Sequence, residues 1–98
     1  MADRHPIPPQ RQDEYEQLVL LLMADAGDDP DTRDRADWIA RSALQPGHLW
    51  RSMGLSGRDE LRAMMRESFP TLYEANTKDM RWKKFLYKRL CGWSGFST

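Results

Sequence analysis

Residues 79–91 read DMRWKKFLYKRLC, and their spacing decides the fold. On a helix, Trp82, Phe85, Leu86 and Leu90 share one side, while Arg81, Lys84 and Lys88 follow at i, i+3 and i+7 on another. An apolar side of that width must be covered by other helices. The rest of the chain supplies them. Glu14, Tyr15, Leu18, Leu21, Leu22 and Ala26 follow a helical repeat, which predicts a first helix over 10–26, ended by Gly27. Its run Leu18 to Met23 is apolar all round, which predicts a central position.

Beyond a turn at Asp28–Asp31, Pro30 suits a helix start and Asp31 or Thr32 offers a cap. A second helix is expected over 31–44, with Trp38, Ile39, Ser42 and Ala43 facing inward, stopped by Gln45, Pro46 and Gly47. A short helical piece follows over 48–53 and closes at Gly54. Ser56 and Asp59 have capping-box spacing and open a helix to about Phe69, with Leu61, Met64, Met65 and Ser68 inward. Pro70 resets the chain, a turn of helix fits 71–75, and Asn76 or Thr77 caps a last helix over 78–91 that Gly92 ends. Pro6, Pro8 and Pro9 make residues 1–10 a flexible arm. No period-two alternation and no internal repeat occurs. The expected fold is all-α, a small bundle of four to five short helices in one domain over 11–98.

Composition narrows the function. Ninety-eight residues hold one domain with a thin core. Fifteen basic and fifteen acidic side chains cancel, so no bulk attraction to nucleic acid or membrane is expected. The N-terminus lacks the apolar stretch of a secretory signal, and no segment is long enough to span a bilayer. A cytoplasmic location follows as an expectation. One cysteine, Cys91, excludes an internal disulfide framework.

The charges are nevertheless sorted along the chain. Residues 1–37 carry ten acids against four arginines, whereas 78–91 carry six bases against Asp79 alone. This asymmetry fits an internal contact, a solvated face, or a basic surface for an anionic partner. Arg81, Lys84 and Lys88 are the candidate partner- or anion-binding residues, because Lys and Arg supply charge-assisted donors. Net neutrality and the acidic N-terminal third argue against nucleic acid. Neither His5 nor His48 sits in a nucleophile setting and no phosphate loop occurs, so an enzyme is not expected. His48 reads as a surface or capping histidine. Met53, Met64 and Met65 read as core filler rather than a soft-metal patch. Cys91 reads as a half-buried structural thiol and is only a weak metal candidate.

Four landmarks also stand in order: His48-Leu49-Trp50 with Met53-Gly54-Leu55; Ser56-Gly57-Arg58-Asp59-Glu60-Leu61; Phe69-Pro70-Thr71-Leu72 with Asn76; and Asp79 to Phe85 with Tyr87, Leu90 and Cys91. Together they resemble the NifQ family, molybdenum donors of nitrogenase cofactor assembly. The resemblance covers about residues 13–96. It implies a helical protein that delivers molybdenum, as a molybdenum–iron–sulfur species, toward the iron–molybdenum cofactor. It further implies nitrogenase cofactor-assembly proteins as partners. In the family the cluster is thought to sit on a C-terminal motif, C-x4-C-x2-C-x5-C, whose soft thiolates suit iron. That motif would begin where these 98 residues end, and Cys91 matches a cysteine upstream of it. No cofactor is therefore expected within this stretch. Three readings stay open: part of a longer protein, a short relative that keeps only docking, or a cluster shared between two chains through Cys91. The expected role is a scaffold or docking domain in molybdenum delivery. The alternative is a helical protein–protein interaction module with no metal role.

Overall fold

The computed structural model describes residues 4–24, 26–27 and 29–91. These form an all-α bundle, with no strand among them. A 3-10 turn at Pro9–Arg11 leads into α1 (Gln12–Met23), followed by α2 (Pro30–Ala43), α3 (Leu49–Ser52), α4 (Arg58–Ser68), α5 (Pro70–Ala75) and α6 (Trp82–Cys91). Four helices are of substantial length, and α3 and α5 are single-turn pieces.

The pairing of α1 with α2 is the most extensive in the molecule. Arg11 before α1 reaches the Leu44 carbonyl after α2, and Tyr15 reaches Asp37, so the two helices run antiparallel. Ala36, Ala40 and Ala43 are fully buried on α2 beside Ile39. Small side chains at this spacing let α1 approach closely enough to seat Leu18 and Leu22. Trp38 is only partly buried and lies under the Arg4 guanidinium, 5.9 Å from its ring centre. From the opposite side come Leu61, Met65 and Phe69, and α6 closes the core with Trp82, Phe85, Leu86 and Leu90. Each such buried leucine contributes about 2 kcal/mol relative to exposure. The inward side expected of the last helix is therefore the observed one.

Several boundaries differ from the sequence expectation. Helix α1 stops at Met23, and Leu20 is 55% exposed, so the apolar run does not make it buried all round. The cap of α2 is Asp29, whose carboxylate accepts from the Asp31 amide at 3.1 Å. A helix takes its cap from the residue before Pro30, since proline at the first position offers no amide of its own. Gly57 precedes α4 with no side-chain cap, and the return bond comes from Glu60, which accepts from the Ser56 amide at 3.0 Å, rather than from Asp59. Gly54 (φ 85°) takes left-handed backbone just beyond α3, as its stop position requires, and Gly47 (φ 88°) does so in the connection between α2 and α3.

The largest shift is the start of α6, at Trp82 instead of residue 78. Asn76 ends α5 as its C-cap and does not cap the start of α6. Its side chain spans the loop instead, donating to the Met80 carbonyl at 2.9 Å and accepting from the Met80 amide at 2.8 Å. Asp79 sits at φ +50°, a left-handed conformation that no helix continues through. Arg58 of α4 then donates to the Asp79 carbonyl at 2.8 Å and to its carboxylate at 3.0 Å. Four residues are thus held out of the helix.

The segment before α1 is fastened from Arg4 onward. Arg4 pairs with Asp34 and Asp37, each at 2.8 Å, the His5 ring donates to the Ser52 carbonyl at 2.7 Å, and Ile7 packs on the core. Gly92 lies outside the described residues.

Candidate functional site: a cationic ridge between two hollows

Because Trp82, Phe85, Leu86 and Leu90 face the core, Lys84 and Lys88 are driven to the opposite side of α6, and both are exposed. Arg81, just before the helix, is exposed too. None of the three has an ion-pair or hydrogen-bond partner among the described residues. Cys91, at the last position of α6, falls on the same side by helical spacing. It is exposed rather than half-buried, because Leu90 takes the inward place beside it. Met53 and Met65 are buried and Met64 is partly buried, so these methionines fill the core.

Two hollows flank the ridge. One, of about 640 Å³, lies between the α2–α3 connection and the first turn of α6. Arg58, Arg81, Lys83 and Lys84 line it, and among the described residues no carboxylate does. His48 and Trp50 stack in its wall at 5.8 Å. His48 precedes α3 without capping it, and remains an exposed ring. The other hollow, of about 520 Å³, holds Lys78, Lys88 and Arg89 beside Asn76, Met80 and Phe85. The three residues that share a helical stripe therefore serve two different concavities: Arg81 and Lys84 belong to the first and Lys88 to the second.

The base of the ridge is held rigidly. Tyr87 donates to Glu14 of α1, and Arg11 pairs with the same carboxylate. Burial, then the Glu14 carboxylate, pushes the Tyr87 hydroxyl well above its ordinary value. Arg11 holds the Glu14 carboxyl below its ordinary value, with Tyr87 adding to it. Lys83 spends its ammonium on the Gln45 and Gly47 carbonyls, the second at 3.3 Å. Burial, reinforced by the charge of Arg11, lowers its proton affinity. Lys83 is thus a cation with a structural task, unlike Lys84 beside it.

Sequence reasoning found Arg81, Lys84 and Lys88 but not Arg58, Lys83 or the His48–Trp50 pair, which the fold brings to the same hollow from distant segments. Among the described residues no group of three or more His, Cys, Asp and Glu side chains is placed to hold a metal ion. Among them, too, no helix is long and apolar enough to cross a membrane.

These features define a small all-α protein that presents a basic helix with free cations on its outer face. The NifQ family model matches residues 1–98, and the chain belongs to that family. It is 49% identical over 86 residues to Protein NifQ of Azotobacter vinelandii, covering 87% of this chain and 44% of that protein. It is 47% identical over 79 residues to a NifQ homolog of Sinorhizobium fredii, covering 81% of this chain and 34% of the relative. Against Protein NifQ of Rhodobacter capsulatus it is 35% identical over 90 residues, covering 91% and 50%. The chain thus spans half or less of these relatives' length. No solved structure matches it significantly.

Proposed function

We propose that this chain serves nitrogen fixation in the cytoplasm as a non-enzymatic participant in molybdenum delivery for the iron–molybdenum cofactor. In this reading the helical bundle is the docking domain toward the cofactor-assembly proteins. Family membership supports the setting. The single observation that carries the docking role is the ridge of Arg81, Lys84 and Lys88, exposed and unpaired among the described residues on a helix anchored by four buried side chains. Free cations on a rigid surface cost little to desolvate at a rim and favour an acidic partner's approach. Cys91 ends the same face, but one thiolate does not make a cluster site, so this face is assigned docking and not ligation of a metal–sulfur cluster.

The test is growth on dinitrogen at limiting molybdate in a strain from which the gene is deleted. The deletion should raise the molybdate requirement, and the wild-type gene should restore it. A gene carrying Arg81→Gln, Lys84→Gln and Lys88→Gln should not. If the deletion strain grows as its parent does at every molybdate concentration, the delivery reading is lost.

A further inference from the structure

The hollow beside α3 contains more donors than a docking rim needs. Its lining holds Arg58, Arg81, Lys83 and Lys84 and, among the described residues, no carboxylate. Two of these are already engaged: Arg58 with Asp79, and Lys83 with backbone carbonyls. Arg81 and Lys84 are not engaged among the described residues. The first turn of α6 opens onto the same space. Its earliest intrahelical bond runs from the Phe85 amide to the Arg81 carbonyl at 2.8 Å, so the amides of Trp82, Lys83 and Lys84 precede the ladder. The cap position before them holds an arginine, which has no acceptor to offer. The first turn carries no acidic residue either.

A second observation is independent of the helix end. Trp82 is 3% exposed and forms part of the hollow's wall, and its indole N–H has no partner among the described residues. The Arg58 Nε–H is buried in the same region and also has no partner among the described residues. Unmet buried donors are costly, and both of these belong to residues that line the hollow.

We propose that this hollow is a binding site for a small multivalent oxyanion, held by Arg81, Lys84 and the leading amides of α6. Helix amides, the helix dipole and unpaired cations all favour negative charge at this point. Molybdate, sulfate and phosphate share the required array of oxygen acceptors. The proposal goes beyond the delivery reading, since it stands on the donors of the hollow alone.

The test uses the 98-residue chain labelled with nitrogen-15. Its four tryptophans give four indole signals, and Trp82→Phe assigns the relevant one. Sodium molybdate, sulfate and phosphate are titrated separately at constant ionic strength, with chloride as control. The Trp82 indole signal and the amides of residues 82–84 should move saturably with at least one oxyanion. Arg81→Gln and Lys84→Gln should each weaken binding about tenfold. Lys88→Gln, on the other hollow, should leave it unchanged. A response to molybdate alone makes the site selective, and a response to all three makes it a general oxyanion site. No saturable shift with any of the three, or shifts that survive both hollow variants, would overturn the proposal. Loss of oxyanion binding with normal delivery in cells, or the reverse, separates this site from the docking role.

Discussion

Asp37 on α2 and Lys84 on α6 both stand at the surface of a helix, yet their surroundings differ completely. Asp37 accepts from Tyr15, from Arg41 at 2.8 Å and from Arg4 at 2.8 Å. Burial alone would raise its carboxyl; the bonds from Tyr15, Arg41 and Arg4 outweigh burial and hold it below the ordinary range. Lys84 has no such partner among the described residues. In the acidic N-terminal third, Arg4, Arg11 and Arg41 answer Asp34, Asp37 and Glu14. Among the described residues, polar contact between the acidic segment and the basic helix is confined to the surroundings of Glu14. Charge in the first region holds the fold together, whereas Arg81, Lys84 and Lys88 have no ion-pair or hydrogen-bond partner among the described residues.

Four experiments break or sharpen that contrast. The largest effect is expected from the inward side of α6. Leu86→Ala should cost about 2–5 kcal/mol, read as a lower denaturant midpoint, because it empties a fully buried site. Asp37→Ala should cost about 1–3 kcal/mol by thermal or urea melting, since three donors lose their acceptor at a partly exposed position.

Acid should then act through the same carboxyl. A group whose folded value is depressed contributes stability above its unfolded value and loses it as pH falls through the folded one. The unfolded aspartate reference is about 4. Stability should therefore decline progressively below roughly pH 4, and Asp37→Asn should flatten that decline. A variant with the wild-type acid profile would remove Asp37 from the account. The smallest effect belongs to the ridge. Arg81→Gln, Lys84→Gln and Lys88→Gln together should change stability by less than about 0.5 kcal/mol. A loss comparable with that of Asp37→Ala would show that these cations also hold the fold.

The helical class was legible because apolar residues recur at helical spacing in every long segment, and that spacing needs no tertiary information. Trp82, Phe85, Leu86 and Leu90 were assigned inward, and all four are buried. Pro30, Gly47, Gly54 and Pro70 punctuate the chain where their backbone preferences dictate. Boundaries set by side chains from elsewhere were not legible. Nothing local reveals that Asn76 will clamp Met80, or that Arg58 will reach Asp79 from twenty-one residues away. Together those contacts delay α6 by four residues and place Arg81 at its cap.

The sequence by itself determined that these segments are helical, most of their inward residues and the existence of an unbalanced basic segment, because each depends on spacing within one element. Only the tertiary structure decided which charges would be spent. Pairing depends on distance in space, so packing joined Arg4 to Asp34 and Lys83 to the Gln45 carbonyl while leaving Lys84 free among the described residues. It also divided one helical stripe between two hollows, since a concavity is made by the neighbours of a helix as much as by the helix itself.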